Sequence, residues 1–558
     1  MESLSATVQI QYSMGRAEGD RRGSISSSSS IDSVADMEEL LEGMKSQASG
    51  YFSTAEVDDS EELLSTVTKL AFGFGGVGQY IYSLVLGFFM LPFLLEVGGI
   101  SAFVAGSLQA VTSIWGACVN PFVGYLSDKS PYPRRKSWIG VATLPFCYFY
   151  FLAWLVPSVG LYARTAYYFI VYLTLASAYA CYVVPYNSLS AELTLNYDER
   201  TVLMSYRWVL SLAVGTVGAG VQAVLLYSFP EGDGSFNLVK GYALAGGVMA
   251  CFLMLPPLVL LMFVRERPNA KTMRKNLLEG LRITFTNYQF LLVVTMNSLS
   301  WFALTILTNN LLLYVTYVME APQLFVLVLV AVLSVCTVIL PVWAALSKRF
   351  GKKKIYFAGT SLLMAGLVPC AFIPTGAIGL AIFLPALAGT GLGVLYLVPY
   401  SMIPDVVEVD ELKTGERREG SFFSIFIFFE RIATAVGAFT SGLVLTIAGY
   451  NSDDTSDQPD TVVWALRFMI GILPALAILG SWVACWRYGI SKQRHEEIRA
   501  EIAQFKEKTH YGSIAEEEHS PRFGSGEEAE LGINTADEEV TKIFTDDEDT
   551  NIFTDDEE

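Results

Sequence analysis

Long apolar runs separated by short charged connections constrain this chain more than any other feature. The runs are about 20 to 30 residues long, enough for an α-helix to cross a hydrocarbon core of about 30 Å. Since 52% of the 558 residues are hydrophobic, repeated membrane crossings explain the sequence better than several soluble domains. The runs are placed at 70–96, 101–126, 138–158, 163–191, 201–228, 240–264, 290–319, 322–346, 355–374, 376–401, 421–449 and 462–489. The sequence therefore predicts an all-α membrane protein with twelve transmembrane helices.

Net charge is distributed unevenly along the chain. The formal charge of −18 comes from the ends, because residues 1–68 carry −9 and residues 491–558 carry −14, which leaves the middle at +5. We interpret 1–68 as a disordered tail, 490–511 as an amphipathic cytosolic helix and 512–558 as an acidic disordered tail. This acidic balance predicts no nucleic-acid partner. The C-terminal tail is expected either to stay solvated or to bind a cytosolic partner.

Basic residues alternate from one connection to the next. The connections after the even-numbered runs hold most of them, whereas those after the odd-numbered runs are largely acidic or neutral. The basic residues after the even-numbered runs include Lys129, Arg134, Arg135, Lys136, Arg200, Arg265, Lys271, Arg274, Lys275, Arg282, Lys348, Lys354, Lys413, Arg417 and Arg418. Because short cytosolic connections are enriched in Lys and Arg, this alternation predicts that both termini are cytosolic.

Two motifs occur once in each half of the sequence. GYLSDKSPYPRRKSW at Gly124–Trp138 corresponds to AALSKRFGKKKIY at Ala344–Tyr356. VPYNSLSAE at Val184–Glu192 corresponds to VPYSMIPDV at Val398–Val406. An internal repeat of this kind predicts two pseudo-symmetric six-helix bundles. We place them at 69–264 and 290–489, joined by a cytosolic linker at 265–289.

The stretch Val398–Ala433 holds the densest internal run of charge, which we interpret as a connection after the tenth helix. Beyond it, Glu430 and Arg431 lie inside an apolar run, as Arg207 does in the first half. A charge in the membrane is costly unless it faces a partner or a water-filled cavity. The candidate partners are Glu192, Asp405 and Glu430, or a substrate anion. A purely structural pair that braces the bundle is the alternative.

Cysteine and histidine placement argues against metal or redox chemistry. All seven cysteines lie inside apolar runs and are expected to be buried thiols, and all three histidines lie in the C-terminal tail. No nucleophile with a base is evident, so neither an enzyme, a cofactor nor a metal site is predicted. In the N-terminal tail, Arg21-Arg22-Gly23-Ser24 makes Ser24 a candidate phosphorylation site.

Specific motifs resemble a known transporter family. Gly124-Tyr125-Leu126-Ser127-Asp128 followed by Arg134-Arg135 resembles the loop signature of the major facilitator superfamily. Within it, IPDVVEVDELKTGERREG at Ile403–Gly420 is similar to a segment of the glycoside-pentoside-hexuronide:cation symporters, the melibiose permease and sodium-dependent lysophosphatidylcholine symporter group. The resemblance covers Lys69 to Tyr488 and implies the major facilitator fold, transport by alternating access, and a latch formed by Asp128 with Arg134 and Arg135.

Several positions depart from the family pattern. The resemblance places two cation-binding carboxylates where this chain has Gly116 and Asn120, a further acid where it has Val183, and a sugar-binding acid where it has Tyr80. A hard cation requires anionic oxygens, and Asn120 offers one neutral carbonyl. The departures favour proton coupling or facilitated diffusion over sodium coupling. The candidate proton carriers are Glu192, Asp405 and Glu430.

The sequence thus predicts a secondary transporter for a small organic solute, in the plasma membrane or an endomembrane. The candidate substrate-binding residues are Tyr80, Trp115, Asn120, Tyr186, Arg207, Tyr400 and Arg431, and the candidate coupling or gating residues are Asp128, Arg134, Arg135, Glu192, Asp405 and Glu430. Aromatic residues around a cavity suit a sugar or glycoside and equally a lysophospholipid among membrane lipids. The alternative is a transporter-like receptor or scaffold that moves no solute.

Overall fold

The structure is a computed structural model, which describes residues 64–130, 134–194, 197–230, 236–266, 287–374, 377–414, 419–452, 458–490 and 497. These residues form twelve long helical segments and one isolated bridge between Pro230 and Phe236. The segments are α1 (Thr66–Val97), α2 (Ala102–Lys129), α3 (Arg134–Leu152), α4 (Leu161–Leu193), α5 (Tyr197–Leu226), α6 (Leu238–Phe263), α7 (Tyr288–Val318), α8 (Phe325–Phe350), α9 (Lys352–Cys370), α10 (Ile378–Thr414), α11 (Glu419–Ile447) and α12 (Asp460–Arg487).

Ten of these segments are long and apolar enough to cross a membrane. The two that fall short are α3 and α9, each of which begins with three basic residues. The prediction of an all-α membrane protein is confirmed, whereas the count of twelve crossings and the cytosolic termini stay predictions. Residues 1–63 of the N-terminal tail with Ser24, residues 267–286 of the linker, the C-terminal tail 512–558, and all of the predicted amphipathic helix except Ile490 and Glu497 lie outside the described residues.

Most helix ends fall within a few residues of the predicted ones, but α10 does not. It continues to Thr414, so Asp405 and its acidic neighbours are helical, and the prediction of a charged connection starting there was wrong. The helix continues because Val406 and Val407 pack into the core at 0% and 1% exposure.

The N-terminal tail also ends sooner than predicted. Helix α1 begins at Thr66, and the Ser65 side chain caps it.

The helices pack as two bundles with the same internal pattern. In the first bundle, α1 packs on α5 and α6, α2 on α4, and α3 on α4. In the second bundle, α7 packs on α11 and α12, α8 on α10, and α9 on α10. Each contact in one bundle therefore has its counterpart six helices later. The repeated sequence motifs reflect a structural repeat.

Within the described residues, the most extensive contacts between the bundles are those of α2 with α11, α1 with α7, and α5 with α8. We call the end where α1 gives way to α2, near Glu96, the far end, and the end where α2 gives way to α3, near Lys129, the basic end. The hydrogen bonds and ring contacts that link the bundles in the described residues lie in the far half of the helices. An example is the buried hydrogen bond of 2.8 Å from Asn309 Nδ2 to Gln109 Oε1.

Two glycines allow the closest approach of the bundles. A Cβ atom on Gly106 of α2 would lie 2.7 Å from the Cα of Gly442 on α11 and 2.8 Å from the Ala438 carbonyl oxygen. Both contacts are with backbone, so no side-chain rotation would relieve them. The far end is thus closed by direct backbone packing.

Burial of the cysteines was predicted only in part. Cys147, Cys336, Cys370 and Cys485 are buried, and all seven thiols are free. Cys118 and Cys251 are exposed, however, and Cys181 is half-buried. An apolar run in a membrane protein has a face toward lipid as well as a face toward the bundle, so apolar surroundings in sequence do not guarantee burial.

Candidate functional site

Arg207 lies on α5 against the inner faces of α1 and α4. Its Nη2 donates to Gln79 Oε1 at 2.7 Å, and its guanidinium lies 4.9 Å above the Tyr186 ring. Tyr186 is fully buried and donates through its hydroxyl to the Phe72 carbonyl oxygen at 2.9 Å. A Cβ on Gly76 would lie 2.9 Å from the Arg207 side chain, so a glycine is needed for the arginine to lie flat on α1. Arg207 is therefore held by neutral groups.

Arg431 lies on α11, the counterpart of α5 in the second bundle. Its neighbour Glu430 is buried and accepts a hydrogen bond from the Tyr400 hydroxyl of α10. The fully buried amide of Asn297 on α7 faces the same carboxyl. The half-buried Arg431 guanidinium, by contrast, has no hydrogen bond or ion pair within the described residues. A half-exposed cation in this position is available to a ligand.

Both arginines lie within electrostatic range of one tyrosine between the bundles. The Tyr179 hydroxyl of α4 interacts electrostatically with Arg207 and with Arg431. Arg431 also interacts with Tyr82 of α1, so it reaches from the second bundle toward the first. The Tyr82 and Tyr179 rings are stacked with centroids 4.0 Å apart. We call the space bounded by these two arginines and these two tyrosines the central space.

An apolar cavity adjoins the central space on the side of the far end. The space between its lining atoms, part of it open to solvent, amounts to about 770 Å³. Its lining includes Tyr80, Leu84 and Phe88 of α1 and residues of α7, α8, α9, α10 and α12, nearly all apolar. Tyr396 on α10 connects the two regions, because its ring lines the cavity and its hydroxyl interacts electrostatically with Glu430. The polar central space and the apolar cavity are thus adjacent, with Tyr396 between them.

The part of α2 where the family resemblance places cation-binding carboxylates contains no acid in this chain, but it has room for one. The Trp115 indole N–H donates to Ser177 Oγ of α4 at 2.8 Å, which fixes this part of α2 on α4. A Cβ on Gly116 would meet no atom within 4 Å. Asn120, one helical turn later, is half-buried. The carboxylates of the family are thus absent here, and no neighbouring side chain fills the space at Gly116.

At the basic end, Arg135 is the one predicted latch residue whose side chain the structure describes. The side chains of Asp128, Arg134 and Glu192 are not among those the structure describes. Arg135 is buried, and its Nη1 donates to Ser127 Oγ at 2.7 Å. The Arg135 backbone N–H donates to the Glu266 carboxylate at 3.1 Å. Glu266 therefore caps the start of α3 and ties it to the end of α6.

The second bundle has a different tie at the same end. Lys352 Nζ lies 2.6 Å and 2.7 Å from the two carboxylate oxygens of Asp405 and donates to the Ser401 carbonyl oxygen at 2.6 Å. This ion pair connects the start of α9 to α10. Asp405 is thus paired with a lysine at the basic end, and the described contacts give it this structural role.

Sequence reasoning overlooked several residues that complete the site. Gln79, Tyr179 and Asn297 lie in apolar runs and carry no charge, so nothing in the sequence distinguishes them from packing residues. Glu266 follows the first bundle directly and is separated from its partner Arg135 by 131 positions. Only the folded chain brings such residues together.

Two pseudo-equivalent bundles of apolar helices around a charged central space define a membrane transporter of the major facilitator fold. The chain belongs to the MFS/sugar transport protein family, whose model matches residues 71–492. The fold is similar to that of a bacterial homolog of the human lysosomal transporter Spinster, with a TM-score of 0.56 and 12% identity over 76% of this chain and 96% of that one. The fold is also similar to that of the D-xylose-proton symporter, with a TM-score of 0.55 and 16% identity over 75% of this chain and 96% of that one.

Relatives of known sequence agree with this assignment. A symporter of Synechocystis is 31% identical over 81% of this chain and 99% of its own length. The human sodium-dependent lysophosphatidylcholine symporter 1 is 26% identical over 83% of this chain and 92% of its own length. The sphingosine-1-phosphate transporter of Xenopus tropicalis is 26% identical over 81% of this chain and 94% of its own length. The predicted family is confirmed, and the chain is a multi-pass membrane transporter rather than an enzyme. Its symporter relatives imply a small-molecule substrate and a coupling ion.

Proposed function

We propose that this transporter carries a single-chain phospholipid, with the phosphate in the central space and the hydrocarbon chain in the apolar cavity. The observation that carries the proposal is Arg431, a half-buried cation whose guanidinium makes no hydrogen bond or close ion pair within the described residues, next to a cavity lined almost entirely by apolar side chains. An arginine recognises phosphate through its planar set of N–H donors. An apolar cavity of this kind favours a hydrocarbon chain over a sugar, whose hydroxyls would lose their hydrogen bonds there.

Two relatives support this choice of substrate class. Their names describe transport of lysophosphatidylcholine and of sphingosine-1-phosphate, and both molecules combine one phosphate with one long chain. The tyrosines of the central space suit either headgroup, since aromatic rings bind ammonium groups and phenol hydroxyls donate to phosphate.

We further propose that a proton, rather than sodium, is the coupling ion and that Glu430 carries it. The carboxyl is buried beside Arg431 and accepts a hydrogen bond from Tyr400. Binding of the substrate phosphate at Arg431 and protonation of Glu430 would then compensate each other's charge. Glu192 remains a second candidate carrier, whereas the pairing of Asp405 with Lys352 favours a structural role for that acid.

Binding to the purified protein in lipid nanodiscs tests the substrate. Three matched probes separate the two regions of the site: octadecanoyl lysophosphatidylcholine, glycerophosphocholine without a chain, and an alkyl glucoside without a phosphate. We expect only the first to raise the melting temperature, by several degrees at saturation. Equal stabilisation by the glucoside would contradict the role of phosphate, and absence of stabilisation by any probe would favour a receptor or scaffold.

A further inference from the structure

A carboxyl group lies between the two bundles at the far end, away from the central space. Glu96 is in the π-helical turn that ends α1, and its Oε1 is buried with no hydrogen-bond partner. The Tyr317 hydroxyl of α7 faces the same carboxyl group and interacts with it electrostatically. The Tyr317 and Tyr450 hydroxyls are 3.3 Å apart. Glu96 therefore belongs to the first bundle, while its hydroxyl partners belong to the second.

Tyrosines are the titratable groups that face Glu96. They are Tyr227 at the end of α5, Tyr242 on α6, Tyr317 on α7 and Tyr450 after α11. Within the described residues, Glu96 forms no ion pair with a lysine or arginine. Arg164, a cation at this end of α4, instead donates to the carbonyl oxygens of Gly98 at 3.0 Å and Val159 at 3.3 Å. Glu96 as a whole is half-buried, and the burial of its Oε1 is thus not compensated by a positive charge.

The protonation state of Glu96 must therefore depend on whether the far end is closed. A buried carboxylate without a cation is much more costly than the neutral acid. As a neutral acid, Glu96 can donate its proton to the Tyr317 oxygen, and the unpartnered Oε1 becomes a carbonyl oxygen rather than half of an anion. When the bundles separate, water reaches the carboxyl and the anion becomes stable.

We propose that Glu96 is a proton-binding site of the far-end gate, which takes up a proton as the bundles close and releases it as they open. This inference adds a second titrating group to the proton coupling proposed above and makes closure of the gate depend on pH. Each closure binds one proton at this site. While the open form holds the carboxylate, the ratio of closed to open protein rises up to about tenfold for each unit by which the pH falls.

Accessibility of a cysteine at the seam measures this ratio directly. Ser452 is half-buried, and its Oγ donates to the Ile100 carbonyl oxygen at 3.1 Å across the two bundles, so a membrane-impermeant maleimide should label a Ser452→Cys thiol faster when the far end opens. Tyr162→Cys is the matched control, since Tyr162 is 92% exposed at the same end of α4 and should label in every state. The unsubstituted chain gives the background from its own thiols.

The experiment compares labelling rates in sealed vesicles between pH 8 and pH 5.5, relative to the Tyr162→Cys rate, which also corrects for the intrinsic pH dependence of the reagent. We expect labelling at Ser452→Cys to slow as the pH falls. Glu96→Gln, which keeps the shape of the carboxyl but cannot titrate, should give slow labelling at every pH. Tyr317→Phe is a second variant, and we expect it to weaken the pH dependence without abolishing it.

Two results would overturn the proposal. One is a relative labelling rate at Ser452→Cys that does not change with pH when Glu96 is present. The other is a pH dependence that survives Glu96→Gln. No solute is added in these assays, so an error in the proposed substrate leaves the outcome unaffected. Failure of the phospholipid proposal and failure of the gate proposal are thus distinguishable.

Discussion

Arg207 and Arg431 occupy equivalent helices of the two bundles, α5 and α11, yet their surroundings differ. Arg207 donates to Gln79 at 2.7 Å and lies 4.9 Å above the centre of the Tyr186 ring. Arg431 follows a buried acid and has no direct polar partner in the described residues. The fold is pseudo-symmetric, but the charges it holds are not. The proposed function therefore assigns a fixed wall of the central space to the first bundle and the group that binds and responds to the second.

Removal of the Arg431 charge should have the largest effect on transport. A hydrogen bond to a charged group contributes about 1.5–3 kcal/mol, so Arg431→Gln should lower phospholipid uptake about 10- to 100-fold. Arg431→Lys retains the charge without the planar donor set and should recover part of the activity. Initial uptake rates in proteoliposomes measure the difference. Uptake by Arg431→Gln equal to that of the natural chain would remove the basis for the comparison.

Glu430→Gln tests the other half of the charged pair on α11. Because the amide cannot carry a proton, uptake driven by a proton gradient should fall about tenfold or more, while exchange of substrate across the membrane without a gradient should continue. Measurement of both modes on the same vesicles separates coupling from binding. Equal loss of exchange and of driven uptake would instead assign Glu430 to folding or substrate binding.

Arg207 should prove less important for substrate affinity than Arg431. Loss of its hydrogen bond to Gln79 and of its contact with the Tyr186 ring should lower stability by about 1–3 kcal/mol in Arg207→Gln. We expect a lower melting temperature and a substrate KM within about threefold of the natural value. Gln79→Leu is the matched variant and should reproduce the loss of stability. A larger KM effect at Arg207 than at Arg431 would reverse the assignment of the two bundles.

The smallest expected effect is a gain of function on α2. Gly116→Asp combined with Asn120→Asp would place two carboxylates one helical turn apart, and the structure has open space at Gly116. Anionic oxygens favour a hard cation, so we expect uptake to gain a sodium stimulation of about twofold. Gly116→Asn with the natural Asn120 is the uncharged control. Strong sodium dependence of the unmodified chain would contradict the proposed proton coupling.

The helices and the two arginines could be predicted from the sequence because both depend on local signals. Run length indicates a membrane helix, and an arginine inside an apolar run is conspicuous by its cost. The end of α10 was mispredicted because charge usually marks a connection, whereas the Lys352 partner of Asp405 becomes a neighbour only in the folded chain.

The neutral parts of the site could not be predicted for a similar reason. Gln79, Asn297 and the tyrosines of the central space acquire their roles through contacts between helices that are distant in sequence. Glu96 was visible in the sequence only as an acid at the end of an apolar run. Its position between the bundles depends on α7 and on the chain after α11, so a local pattern contains no information about it.

Uptake of labelled octadecanoyl lysophosphatidylcholine by the purified chain in proteoliposomes decides whether the chain carries a single-chain phospholipid. We expect uptake above that of empty vesicles that increases when the outside is acidified, does not require sodium, and is lost in Arg431→Gln. We also expect no uptake of glycerophosphocholine, which has no chain to occupy the apolar cavity. Transport of glycerophosphocholine or a simple sugar at the same rate, unaffected by Arg431→Gln, would contradict the proposed function.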